Sequence, residues 1–293
     1  MLPRAFMDTY MPKLYSYTYD THNYGEIGML KIDGKIVARR NEEAMLKALN
    51  QFGWLRTRDL AALIWQKAKK KRVSFELIPL MLEAPNMRTC QIVLARLRRK
   101  RMVNRIKAPD ASWIYGLAVA GARELNRLGI EAKSAEDSLK RISLSFYHHR
   151  RIANEVAIIA AIQGFEAVSE FQIAKAKWFG GITGVNSKKP DALAVDGKVV
   201  TWVEVERSRR NKKDWGRLMT WLLGIWPTDR SMSFNAPLLD GYELLRVLFV
   251  CEQPFIDRVM VELKAAGWAD DVIRHRIAAV PLEYVTEAKF IQR

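Results

Sequence analysis

Acidic side chains are scarce in this 293-residue chain: 32 Asp and Glu stand against 48 Lys and Arg, a formal net charge of +16. Such an imbalance points to a polyanionic partner. It is uneven. Residues 1–140 hold 26 basic and 14 acidic side chains, and residues 141–293 hold 22 and 18. The first half should therefore carry much of any nucleic-acid affinity. Cysteine is nearly missing, with Cys90 and Cys251 alone. Two thiols in apolar patterns exclude a disulfide framework and any zinc-type spacing, and they fit a reducing cytoplasm. No apolar run is long enough to span a membrane, and the N-terminus lacks the continuous apolar core of a secretion signal. The four histidines, His22, His148, His149 and His275, form no three-histidine motif. There is no internal repeat and no low-complexity tract. At 49% hydrophobic, the chain is not a disordered one, and it is long enough for two cores.

The most informative stretch is KPDALAVDGKVVTWVEVE, residues 189–206. Asp196-Gly197 is a strong hairpin signal between two strand-like runs. With those two residues as the loop, Val195 faces Lys198 and Asp191 faces Trp202. Alternation then sets Asp191, Trp202, Glu204 and Glu206 on one face, and Val203 and Val205 on the other. Three carboxylates on one face repel each other and lose hydration, so a cation is expected to hold them. Hard oxygen ligands suit Mg²⁺ or Mn²⁺.

Residues 1–40 read as an N-terminal arm, rich in tyrosine to residue 24, followed by a small hairpin at 27–39 around Asp33-Gly34. From residue 41 the apolar period becomes helical. Asn41 is the expected N-cap of a first helix, and Thr57 that of a second ending at Gln66. A basic run follows, Lys67 to Arg72. The most basic helix, over 88–102, carries Arg88, Arg96, Arg98, Arg99, Lys100 and Arg101 as candidate DNA contacts. Residues 103–116 form a ribbon ending in a strand at Trp113–Leu117. Helix, helix, basic helix and β-ribbon is the winged-helix order, here over residues 41–130. Residues 131–147 read as a linker.

Residues 148–293 alternate helices and strands, which predicts a mixed sheet covered by helices. The expected elements are helix 148–164, strand 166–174, the hairpin, helix 211–226, strand 244–250, helix 253–267 and strand 277–285. The basic loop at 175–189 lies beside the acidic face and adds Lys188 and Lys189 as candidate DNA contacts.

Pro190-Asp191 and Glu204-Val205-Glu206 resemble the core of a PD-(D/E)XK nuclease, with Glu206 where that family usually has Lys. The resemblance implies an α+β chain, a winged helix-turn-helix followed by a restriction-endonuclease-like domain. It implies Asp191 and Glu204 as metal ligands, Glu206 as a third ligand or general base, and Lys212 or Lys213 as the substitute lysine. Glu155 would be the acid contributed from the preceding helix. Residues 41–290 resemble, more narrowly, plasmid replication-relaxation proteins and MOBC-type conjugative relaxases. The segment from His148 through Asn154 to Glu155 carries that likeness, with His148 and His149 placed to relay protons or touch a phosphate. Relaxases that use a tyrosine nucleophile and a histidine-held metal are not matched.

Two functions follow from the resemblance. One is a Mg²⁺- or Mn²⁺-dependent nickase or relaxase of a mobile element, acting on double-stranded DNA in plasmid replication, mobilisation or conjugation. It would have relaxosome or transfer proteins as partners and no membrane. The other is a non-catalytic DNA-binding accessory or replication-control protein with a degenerate nuclease fold, in which arginines pair with Glu204 and Glu206.

Overall fold

The computed structural model describes residues 33–66, 75–77, 84–207, 211–226 and 235–282. The tyrosine-rich arm, the basic run at 67–72, and Arg209 and Arg210 lie outside the described residues. Two compact units divide between Ser143 and Leu144, and residues 75–77 belong with the second.

The first unit opens on α1 (Gly34–Phe52), then β1 (Leu55–Arg56), α2 (Thr57–Trp65), α3 (Ala84–Arg99), β2 (Val103–Lys107), β3 (Trp113–Leu117), α4 (Val119–Arg127) and α5 (Glu136–Lys140). Asp33-Gly34 starts the first helix and turns no hairpin. The Asp33 carboxylate accepts the Lys35 N–H at 2.9 Å, capping α1 eight residues before the expected Asn41. An Asp before a Gly suits a cap as well as a turn, because its short side chain satisfies a nearby backbone donor in either case. Met45, Leu46, Leu49 and Phe52 bury one face of α1, as helical spacing requires. At the start of α2, Asp59 accepts both the Arg56 N–H and its guanidinium, and both side chains are buried. The three short strands form an antiparallel sheet in the order β1-β3-β2. Residues 132–139 are packed structure where a linker was expected. The Ala135 N–H donates to the Leu117 carbonyl at 2.8 Å, and Leu139 is 2% exposed.

The second unit runs α6 (Leu144–Ile162), β4 (Glu166–Val168), α7 (Glu170–Ala174), β5 (Ala192–Asp196), β6 (Val199–Glu206), α8 (Lys212–Ile225), β7 (Ala236–Pro237), β8 (Glu243–Cys251), α9 (Gln253–Ala265), α10 (Asp270–Arg276) and β9 (Ile277–Pro281). Its sheet is mixed. β4, β5 and β6 form an antiparallel meander, β6 and β8 run parallel, and β9 joins β8 in parallel. The chain is thus α+β with a mixed sheet. The strand expected over 166–174 stops at Val168. Ser169 Oγ accepts the Gln172 N–H, and the Gln172 side chain accepts the Ser169 N–H. This reciprocal cap turns the chain into α7. α10, not expected, has two acids in its first turn and three basic residues in its last, matching the helix dipole.

The 189–206 hairpin forms with its turn one residue further along. Asp196 pairs with Val199, so Gly197 and Lys198 are the loop. Only Gly197 takes positive φ, +60°, the requirement of a type II′ turn. Trp202 consequently pairs with Leu193 and not Asp191, and the Asp191 N–H, just ahead of the paired run, donates to the Val203 carbonyl at 2.9 Å. Opposed residues change by two in sum, so no side chain changes face.

Ahead of β5, residues 177–189 are a built loop. Trp178 is buried edge-on against Trp202, whose ring also packs on Trp221 at 4.9 Å. Asn186 and Ser187 both hold positive φ between the bridged Val185 and Lys188. Gly184 sits at φ +78°, where an added Cβ would fall 2.3 Å from the Lys188 carbonyl oxygen. Both thiols are buried. Burial, then Asp59, pushes Cys90 up to about 12; burial, then Glu206, does the same to Cys251. No described helix is long and apolar enough to cross a membrane.

Gly184→Ala is expected to lower stability by about 1–3 kcal/mol, since both the backbone conformation and the contact are lost. Urea unfolding checks this; an unchanged midpoint would mean the loop yields without cost.

Candidate functional site

Burial of β6 on both faces sets the chemistry of this region. All but its first residue are buried, including Glu204 and Glu206. A carboxylate in such a place must be paired, hydrogen-bonded or protonated. Glu204 has two donors. Lys188 Nζ lies 2.6 Å from Oε2, and Trp202 Nε1 lies 2.6 Å from Oε1. Burial pushes its carboxyl up to about 7, with Lys188 pulling it down and Asp191 pushing it further up.

Asp191, just before β5, has its own donors. His149 Nε2 is 3.0 Å from Oδ1, and the Val205 N–H donates to Oδ2 at 2.7 Å. Burial depresses the His149 imidazolium, but the hydrogen bond and charge of Asp191, with Glu170 and Glu206 behind it, outweigh that. The pKa of His149 is raised to about 9. Glu170, at the start of α7, is raised by burial and held back by Arg150 and His149.

These groups open on one cavity of about 310 Å³, lined by His149, Lys188, Lys189, Asp191, Glu204, Glu206 and Arg207 among others. The three predicted acids are therefore brought together. Of the two candidate histidines His149 is beside them and His148 is not, and the lysine beside them is Lys188, not Lys212. Lys212 is exposed on the first turn of α8 and Glu155 is buried along α6; neither lines the cavity. His148 meets the Tyr147 ring at 5.4 Å and also stays outside the lining. Lys188, a candidate DNA contact, pairs with Glu204, and His149 pairs with Asp191. A turn signal, Asn186-Ser187 two residues after Gly184, was the available hint that the chain folds back there.

Of the α3 candidates, Arg88, Arg98 and Arg99 are exposed, as are Lys100 and Arg101 beyond its end. Arg96 and Lys100 lean on Glu42 of α1, at 3.5 and 2.6 Å.

A basic helical unit carrying a β-hairpin, followed by a mixed-sheet unit with a carboxylate pair among cations, defines a two-unit α+β protein. The chain belongs to the replication-relaxation family, whose model matches residues 46–219. Membership suggests a role in plasmid replication or mobilisation, and DNA and plasmid-related machinery as partners. The matched span runs from within α1 into α8 and includes every cavity residue named above. No curated protein and no solved structure matches the chain.

Two measurements test the electrostatics. His149 should titrate near 9 by imidazole NMR, against 6.5 for an unperturbed ring. What its pairing contributes to stability is fully present below pH 6.5 and is lost as pH rises through about 9. Asp191→Asn should lower that pKa; an unmoved titration would show that Asp191 does not hold the proton.

Lys188→Met leaves Glu204 buried without its cation and should cost about 3–5 kcal/mol at neutral to alkaline pH. The loss should shrink in acid, where Glu204 takes a proton, and Glu204→Gln added to Lys188→Met should recover most of it. A double variant as unstable as Lys188→Met would show that lost packing, and not the unpaired charge, sets the cost.

Proposed function

We propose that the protein is a metal-dependent DNA nickase or relaxase of plasmid replication or mobilisation. Its first unit acts as a winged helix on duplex DNA, and its second as a PD-(D/E)XK-like nuclease. The order α1-β1-α2-α3-β2-β3, with a three-stranded sheet, supports the winged-helix reading. Asp191 at the entry to β5 and Glu204 on β6, following α6 and followed by α8, support the nuclease reading.

The observation that carries the proposal is the meeting of Asp191, Glu204 and Glu206 with Lys188, Lys189, His149 and Arg207 in one cavity. Phosphodiester cleavage needs positive charge for the phosphate and carboxylates for a divalent cation, and both are within a few side chains of each other. Asp191 and Glu204 would hold Mg²⁺ or Mn²⁺. Among the described residues no three His, Cys, Asp or Glu side chains form a ready cage, but Mg²⁺ is usually held through only one or two carboxylates. The Asp191 oxygens accept from His149 and the Val205 N–H, and the Glu204 oxygens from Lys188 and Trp202; a carboxylate oxygen has two lone pairs, so such contacts and a metal can share it. The ion, when bound, lowers the pKa of a coordinated water and offsets charge on the phosphate. Lys188, protonated His149 and Arg207 would bind the phosphate oxygens, and the Glu206 carboxylate would take up a proton.

A second reading, an accessory DNA-binding protein with a silent nuclease fold, rests on two observations. Glu206 stands where the nuclease pattern has Lys, and Lys188 and His149 already neutralise Glu204 and Asp191.

Supercoiled plasmid from the protein's own element separates the two. The full chain with Mg²⁺ or Mn²⁺ should convert it to the nicked form. Asp191→Asn and Glu204→Gln should each cut the rate by at least about 100-fold, as expected for groups that organise transition-state charge, with DNA affinity held. A wild-type chain that binds the plasmid but never nicks it, and takes up no Mn²⁺, would establish the accessory reading.

A further inference from the structure

We infer that the groove between α3 and the β2–β3 hairpin seats one phosphodiester strand of a DNA duplex, with Arg98 and Arg105 on its two walls each taking a phosphate. This rests on the proposal that the first unit binds duplex DNA, and it specifies how.

α3 presents two different basic flanks. On one, Arg96 and Lys100 are drawn to Glu42, so their charge is already answered inside the protein. On the other, Arg88, Gln91, Ala95 and Arg98 follow each other at spacings of three, four and three, one exposed line along the helix. That line borders a cavity of about 270 Å³. Its far wall is the hairpin face that bears Arg105, Lys107, Trp113 and Tyr115, since Arg105 pairs with Tyr115 and Lys107 with Trp113. Among the described residues no acidic side chain lines the groove, and buried Leu94 and Tyr115 form part of its lining.

The Arg105 guanidinium carbon lies over the Trp113 ring, 3.9 Å from its centroid, with Lys107 Nζ at 5.6 Å. A guanidinium held over an indole is positioned before any ligand arrives, so less rotamer freedom is lost when it meets a phosphate. The geometry of a duplex supplies the rest. The major groove is about 12 Å wide and admits a helix. A sugar–phosphate strand always separates it from the minor groove beside it. A helix in the major groove with a hairpin standing next to it must therefore straddle that strand, and the strand occupies the gap between them. Gln91, facing the same gap from α3, is placed to read a base edge, as the side-chain amide does with adenine.

The test uses the full chain and a fluorescent duplex from its own plasmid, alongside a scrambled duplex, with binding followed by anisotropy over a salt series. Arg98→Gln and Arg105→Gln should each reduce the slope of log K against log salt by about 0.9, the release expected for one phosphate contact. They should weaken both duplexes alike, while Gln91→Ala should weaken the plasmid duplex more than the scrambled one. Arg96→Gln and Lys100→Gln should leave the slope where it is. Arg98→Lys, which conserves the charge, should keep it too, and so separates lost contact from lost fold. Slopes lowered by the Arg96 and Lys100 variants but not by those at Arg98 and Arg105 would overturn the inference and put the duplex on the α1 side. A wild-type chain that binds neither duplex would overturn the inference together with the reading it rests on. Wild-type binding that Arg98 and Arg105 do not affect would overturn the groove alone.

Discussion

Glu204 is a carboxylate on the central strand of a buried sheet, and much of the second unit is arranged around that fact. It is 2% exposed, so the protein must supply most of its donors, and it does so from two directions. Trp202, two residues back on the same face, gives one. Lys188 gives the other, and to bring Lys188 there the chain folds a tight loop with consecutive left-handed residues. Trp178 and Trp221 hold that loop down, the latter by donating to the Val185 carbonyl at 3.2 Å. A purely structural core would have used an apolar residue at position 204 and dispensed with all of this. Replacing buried ion pairs by well-packed apolar side chains is often neutral or stabilising. So costly an arrangement beside an open cavity is what supports the proposed chemical task.

The same economy appears at Asp191, whose two oxygens are held by a ring nitrogen and a backbone N–H. Both acids are therefore fixed in orientation and both are neutralised by groups that would themselves suit a phosphate. Under the proposed function, an anion arriving at Lys188 and His149 would take over the role the carboxylates play now. The first unit works on a similar principle at larger scale. Glu42 pairs with Arg96 of α3 and with Lys100 just beyond it, and Arg88 and Arg98 stand exposed on another line of the helix.

The face of the acidic hairpin was legible in the sequence because strand alternation is insensitive to where the turn falls, provided both arms shift together. The turn itself was misplaced by one residue because Asp-Gly and Gly-Lys are both workable, and only the pairing of Asp196 with Val199 decides. α7 was hidden by its brevity, although Ser169 and Gln172 spelled its cap. Asp33-Gly34 was ambiguous for a physical reason, since the same local hydrogen bond serves a turn and a helix start. What could not be read was which lysine and which histidine reach the acids. Lys188 and Lys212 are equally basic in sequence, and the choice between them depends on how a thirteen-residue loop closes on a tryptophan cluster. Non-local packing of that kind leaves no periodic trace.

The two buried thiols have a practical corollary. With both pushed up to about 12, only roughly one in 10⁵ is a thiolate at neutral pH, and the thiolate is the reactive form. The native chain is close to inert toward maleimides and other soft electrophiles. A single cysteine introduced on the exposed line of α3 or at the rim of the carboxylate cavity would then carry a fluorophore or spin label alone, with no need to remove Cys90 or Cys251 from the cores they fill.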